Sequence, residues 1–414
     1  MRSSGKIYFG FVFSTVVLSI IYAFYTKGSA ISNVVFGNAS DMFMDFFNHI
    51  SYVRDYGSRV YWSNYNACFP PLAYVFYYFL SFLIPADQTT MLNSAATGPY
   101  AIVLYVIYTS FLICWMIYAI VQSVGIERFD FAITITLSIL CSSVFLYLIE
   151  RGNSAFIVCI LLLRAVQLRK EESKKQKETA LLFIAIAAAF KVYPAVFGIL
   201  YIIEKRWKEA VRLVIYGVLF AIVPFSFFGG INGIKQFISN QKTLQESGVS
   251  TNNVLFLITR STADIPFPQG RYAILCLIFL IMIFILFLVN EEWKRGYILA
   301  SLMIILPRWS EHYTRFFMLI PLVLYMKNEE AENARCKDVI FQILFGGMFC
   351  CCTFGTKENA WTAHLMITGQ WWSTIGIYAM YAGLLWIVLE TLFFNFFRNK
   401  QSLPIDFQAF NERK

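Results

Sequence analysis

Asp41 and Asp45 lie four residues apart in the segment Asp41-Met-Phe-Met-Asp45-Phe-Phe-Asn48-His49. On a helix that spacing stacks the two carboxylates on one face, and Phe43, Phe46 and Phe47 would lie over the membrane surface. A carboxylate so placed could accept a proton from a hydroxyl, share a divalent cation with its neighbour, or cap and solvate a surface helix. The spacing alone does not choose among the three.

Two further clusters carry charge inside apolar sequence. Glu150-Arg151-Gly152-Asn153 is a tight polar turn between two apolar runs. Its arginine could hold a phosphate through two parallel hydrogen bonds, or Glu150 could neutralise it directly. Lys191-Val-Tyr193-Pro194 interrupts another apolar run, where proline removes a backbone donor and a lysine cannot face lipid cheaply. Lys191 has no counter-ion nearby in sequence, so it requires an anion from elsewhere, and a lipid phosphate would serve. The alternative is one kinked helix whose lysine reaches to the membrane boundary. No Cys-x-x-Cys, His-Glu-x-x-His or glycine-rich phosphate loop occurs, and His49, His312 and His364 are far apart in sequence. No required metal and no cofactor are expected.

The elements that must hold these residues are membrane helices. Of 414 residues, 58% are hydrophobic and 14% charged, and apolar runs recur from Ile7 to Phe397, which excludes a soluble protein. The first run, after Lys6, is long enough for one crossing and has no small-residue cleavage site behind it, so it reads as a retained helix. The cysteines lie mostly within apolar segments and do not read as a disulfide framework. The net charge of +9 is explained by topology and anionic lipid rather than by nucleic acid. Five basic residues fall between Arg169 and Lys177 and four between Lys205 and Arg212, and both groups belong in the cytoplasm. Only one apolar segment, Thr179 to Ile203, separates them. A single crossing cannot satisfy both, so the segment is expected to be a hairpin of two arms of about 12 residues, about 18 Å each, with Lys191 at an apex inside the membrane.

With residues 69–85 taken as a re-entrant or interfacial element, helices are expected near 100–122, 131–149, 154–168, 211–228, 271–289, 297–306, 315–326, 339–353 and 373–396. The fold class is an all-α polytopic transmembrane bundle of about 11–13 membrane segments. One domain covers 1–398, with a first outer loop at 26–71 that carries an interfacial helix, and 399–414 forms a short cytoplasmic tail. Both termini are expected in the cytoplasm.

Several stretches occur in an order that resembles a known family. They are Asp45-Phe-Phe-Asn-His followed by Tyr61 and Phe69-Pro-Pro-Leu-Ala-Tyr, then Glu150-Arg-Gly-Asn, Ala189-Phe-Lys191-Val-Tyr-Pro194, Asn252-Asn253 to Arg260, and Pro307-Arg-Trp309-Ser-Glu-His312-Tyr313. Together they resemble glycosyltransferase family 87, part of the GT-C superfamily of polyprenyl-phosphate-sugar-dependent transferases. The last stretch departs from the family pattern, since Arg308 stands where a small polar residue is more usual.

The resemblance implies transfer of a hexose, with mannose favoured, from a polyprenyl-phosphate donor to a lipid or glycan acceptor at the extracytoplasmic face. Asp45 would be the base, with Asp41 the second choice. Departure of a lipid phosphate builds negative charge that Lys191 and Arg151 would stabilise, with Arg260 and Arg308 behind them. Attack opposite the leaving group would invert the anomeric centre without a metal. Asn48, His49, Glu150, Asn153, Tyr193, His312 and Tyr313 would line the substrate, although His312 and its aromatic neighbours could equally anchor the chain at the interface. A bacterial plasma membrane is the expected location. Two other readings share the helices and buried cations: a transporter or flippase of lipid-linked sugars, and a non-catalytic subunit of polysaccharide assembly.

Overall fold

The computed structural model describes residues 5–32, 42–85, 98–246, 252–255, 268–307, 310–328, 336–352 and 371–401. Every regular element among them is helical, and the helices pack into a polytopic bundle. Four helical stretches are long and apolar enough to cross a membrane, namely Lys6–Tyr25, Pro99–Val124, Trp207–Phe228 and Trp372–Phe393. Shorter apolar helices of 10–17 residues fill the space between them.

Helix α1 (Lys6–Tyr25) leads through the short α2 (Ser29–Ser32) to α3 (Met44–Tyr56) and α4 (Pro71–Ser81). Helix α5 (Pro99–Val124) starts with proline in its first turn, where the missing N–H costs nothing, and stops at Gly125 with φ +99°. The single helix expected over 131–149 is instead α6 (Phe129–Leu140) and α7 (Ser143–Arg151), bent by 64°. Ser142 makes the break: its hydroxyl donates to Ile139 O at 2.6 Å and accepts the Phe145 N–H at 3.3 Å, so it caps the new helix.

Helices α8 (Ala155–Leu168) and α9 (Lys174–Phe190) follow as an antiparallel pair. At Lys191 the backbone turns extended (φ −146°, ψ 132°) and the chain returns through the 3₁₀ turn Tyr193–Gly198 and α10 (Ile199–Ile203). Arg169, 1% exposed, proves the return, because it pairs with Glu204 just after α10 and with Glu292 as well. Arg206 closes the same cluster by donating to Arg169 O at 2.8 Å. The segment is therefore a hairpin, with a first arm of 17 helical residues rather than 12 and a second arm that is largely 3₁₀.

The rest of the bundle is α11 (Trp207–Ala221), α12 (Gly230–Glu246), α13 (Pro268–Leu288), α14 (Glu292–Ile305), α15 (Leu319–Asn328), α16 (Cys336–Met348) and α17 (Trp371–Gln401). The Arg169 cluster defines one end of the molecule, which also holds Lys294 between Glu291 (2.8 Å) and Glu390 (3.1 Å). Helix α8, with its 14 residues, is about 21 Å long, so Asn153 before it lies at the opposite end from Arg169 behind it. Lys191 lies at that far end too, at the top of α9.

Phe43, Phe46 and Phe47 do not rest on a membrane surface as expected. Phe46 and Phe47 are 0% and 1% exposed, locked among Tyr77, Tyr105 and Tyr108 at ring-centroid distances of 5.1–6.0 Å. The reason is that α3 is not peripheral; its aromatic face is the packing surface for α4, α5 and α7.

A protease site inserted after Ser173 and one inserted after Lys208 should be cut from the same side of sealed vesicles, and one after Ser58 from the other. Cleavage of the first two from opposite sides would replace the hairpin by a single crossing.

Candidate active site

The site is built where α3 docks on the turn between α7 and α8. The Phe43 N–H donates to Glu150 O at 2.7 Å, and Phe43 itself has φ +63°, which starts α3 at Met44. Gly152 ends α7 at φ +68°, and a side chain there would meet Phe46 Cβ at 3.0 Å and Phe43 O at 3.3 Å. Glycine is thus required twice, by backbone conformation and by the closeness of α3.

This docking puts Asp45 in the first turn of α3, where a carboxylate suits the helix dipole, and aims it at the turn. Arg151 Nη2 donates to Asp45 Oδ1 at 2.6 Å and Asn153 Nδ2 to Asp45 Oδ2 at 2.7 Å. Asn153 is 5% exposed and its orientation is fixed, since its Oδ1 accepts the Ala155 N–H at 2.9 Å while its Nδ2 also donates to Tyr313 Oη at 2.9 Å. Both carboxylate oxygens therefore have defined partners, and Arg151 reaches across to Asp45 from the α7–α8 turn. Glu150 is buried beneath the turn.

Lys191 is within electrostatic reach of Asp45. It is 8% exposed, and its ammonium faces the rings of Phe69 (4.5 Å to the centroid) and Tyr193 (5.9 Å). Among the described residues it has no ion pair and no side-chain hydrogen bond. Rings attract a cation, but they do not replace the hydration lost on burial. Tyr193 Oη and His49 Nδ1 are likewise enclosed without a hydrogen-bond partner. His49 stacks against Phe69 (4.0 Å) and Tyr77 (5.3 Å), while Asn48 sits half-buried on α3.

On the other flank, Glu311, His312 and Tyr313 enter the 3₁₀ turn His312–Met318. His312 Nδ1 bonds Ser373 Oγ at 2.9 Å, and Tyr147 packs against Tyr313, His312 and Trp372 at 5.7–6.3 Å. Asn252 and Asn253, both fully buried, hold this loop through the carbonyls of Glu311 (2.8 Å) and Pro307 (2.9 Å). Arg315, 1% exposed, hydrogen-bonds Ser373 and the His312 carbonyl and lies over the Trp372 ring at 4.9 Å.

Asp45, Arg151, Asn153 and Tyr313 are thus brought into one hydrogen-bonded group, with Lys191, Tyr193, His49 and His312 around it. Helix α3 begins at Met44 and carries Asp45 in its first turn. Asp41, Arg260 and Arg308 lie outside the described residues. Glu311, Tyr147 and Arg315 carried no expected role; only Arg315 left a signal, a charge inside the apolar run of 313–326. Among the described residues no three His, Cys, Asp or Glu side chains gather as a ligand set.

The profile of glycosyltransferase family 87 matches residues 68–307, more than half of the chain. The chain belongs to glycosyltransferase family 87. The family 87 match takes in the Glu150–Asn153 turn, the Lys191 hairpin and the Asn252-Asn253 pair, and with the apolar helices it makes the chain an integral-membrane glycosyltransferase. No curated protein and no solved structure matches it.

Burial pushes the His49 imidazole from 6.5 down to about 3, with Asp45 opposing and Lys191 assisting, and burial pushes His312 down likewise to about 3, with Arg315 assisting. Both rings stay neutral in the folded chain, so stability is full above the ordinary histidine value and is lost as pH falls from about 6.5 toward 3, where only the unfolded chain gains the proton. The thermal midpoint of the purified protein should fall across that window, and His49→Phe should flatten part of the slope. An identical slope in the variant would contradict the enclosed, neutral His49.

Proposed function

We propose that the protein transfers a hexose, mannose being favoured, from a polyprenyl-phosphate donor to a hydroxyl of a lipid or glycan acceptor at the extracytoplasmic face, with inversion and without a metal. The observation that carries this reading is Lys191: a buried ammonium with no ion pair among the described residues, beside a carboxylate that two donors hold in place.

Asp45 is the proposed base. Arg151 and Asn153 orient its carboxylate, which would draw a proton from the acceptor hydroxyl as that oxygen attacks the anomeric carbon. The bond from that carbon to the phosphate oxygen breaks on the opposite face, and the leaving phosphate carries the charge to Lys191, where little water competes with the ammonium. Tyr193 Oη and His49 are placed to donate to the same phosphate. Arg151, engaged by Asp45, acts first on the base and only second on the donor. Arg260, Arg308 and Asp41 remain as supporting candidates.

The apolar part of the donor has a matching surface. A cavity of about 320 Å³ opens between Val75, Tyr78, Phe79, Phe227 and Phe228, with Phe79 and Phe227 exposed on the outer face of the bundle. From it a run of rings leads inward through Phe228 and Tyr74 (6.5 Å), Tyr74 and His49 (5.7 Å), and His49 and Phe69 (4.0 Å) to Lys191. A prenyl chain lying along the first rings would deliver its phosphate to the last.

Purified protein should transfer radiolabelled sugar from a polyprenyl-phosphate hexose to membrane glycolipids, unaffected by EDTA. Lys191→Met should cut transfer roughly 100-fold or more, in line with the loss of a single charge-stabilising donor. Full activity of that variant, or transfer only from nucleotide sugars, would overturn the reading.

A further inference from the structure

Glu311 is a second carboxyl group at this site. Its main chain is fixed, because its carbonyl accepts from Asn252 Nδ2 at 2.8 Å, from Thr314 N at 2.9 Å and from Thr314 Oγ1 at 2.7 Å. Its side chain is half-buried, yet among the described residues the carboxyl group meets neither a hydrogen-bond donor nor a cation. Burial, then the charge of Asp45, hold it above the ordinary carboxylate range, while Arg151 pulls it the other way.

The position of this carboxyl group relative to the two cations is informative. Glu311 interacts electrostatically with Asp45 and Arg151, and Lys191 with Asp45 and Cys68. Tyr313, two residues beyond Glu311, accepts from the Asn153 amide that holds Asp45, so the Lys191 and Glu311 sides meet at the Asp45 carboxylate. A phosphate is attracted by the Lys191 ammonium and repelled by an ionised Glu311. The Glu311 flank also carries Tyr147 and His312, both partly exposed and backed by the buried Tyr313 and Trp372, and an aromatic edge beside a carboxyl group suits a polyhydroxylated ring, through C–H faces and hydroxyl donors.

We infer that Glu311 binds the acceptor, accepting hydrogen bonds from sugar hydroxyls beside the one that Asp45 deprotonates, and so selects a saccharide-bearing acceptor over an apolar one. This rests on the transferase reading above. It puts Lys191 on the donor side and Glu311 on the acceptor side, with Asp45 between them.

The test uses the full-length purified protein, polyprenyl-phosphate [¹⁴C]mannose as donor and glycolipids extracted from the native membrane as acceptor, in wild type, Glu311→Gln and Glu311→Asp. The expected result for Glu311→Gln is an acceptor KM raised about tenfold or more, with the donor KM and the slow hydrolysis of donor without acceptor within about twofold of wild type, and a partial recovery in Glu311→Asp. An unchanged acceptor KM, or donor and acceptor KM rising together, would overturn the assignment while leaving the transferase reading intact. No transfer by wild type would overturn both.

Discussion

The hold that Arg151 and Asn153 keep on the Asp45 carboxylate organises the whole of one end of this molecule. Charge-assisted hydrogen bonds in a water-poor setting are strong only if their partners are brought to the same place by rigid elements. Here that demand reaches far into the fold: α7 must stop at a residue that tolerates positive φ, α3 must start against that stop, and α8 must begin with an asparagine whose amide is locked by its own helix. Tyr105, which donates to Ile149 O, and the Phe46 and Phe47 rings make α3 part of the core rather than a surface ornament.

Charge in the two ends of the bundle is handled in opposite ways. At the Arg169 end each buried cation has carboxylate partners: Arg169 has two, and Lys294 has two. Truncating one side of such a cluster leaves an uncompensated charge, which costs several kcal/mol. At the other end the carboxylate of Asp45 has two donors, and among the described residues the ammonium of Lys191 has no ion pair. Arg315, buried at the same end, is held by Ser373, the His312 carbonyl and the Trp372 ring instead of by a carboxylate, so the two ends of the bundle treat buried cations differently.

Much of this organisation is legible in the residues themselves. The two basic clusters flanking one apolar run demand a hairpin, because both cannot be on one side after a single crossing, and Lys191-Val-Tyr-Pro supplies the only break able to form its apex. The Glu-Arg-Gly-Asn turn announces a polar site for the same reason, being charge where lipid would exclude it. That Arg151 reaches Asp45 is not legible, since only the docking of α3 on the turn brings the two together. The four-residue spacing of Asp41 and Asp45 does not report what holds Asp45, because Arg151 and Asn153 come from a turn 106 and 108 residues further along the chain. The break at Ser142 escapes notice because one hydroxyl cap inside an apolar run gives no compositional signal. Glu311 is equally silent, since a lone acid in a loop looks solvated until tertiary packing encloses it.

The measurement that bears most directly on this account is turnover by Asp45→Asn and Asp41→Asn, each shown to be folded by its elution as a monodisperse particle, with a polyprenyl-phosphate hexose as donor. Asparagine keeps the size of the side chain but cannot take the acceptor proton. Asp45→Asn should therefore lose roughly 10²- to 10⁴-fold in kcat, while Asp41→Asn stays within about tenfold of wild type. Near-normal turnover by Asp45→Asn would contradict the assignment of the carboxylate held by Arg151 and Asn153 as the base.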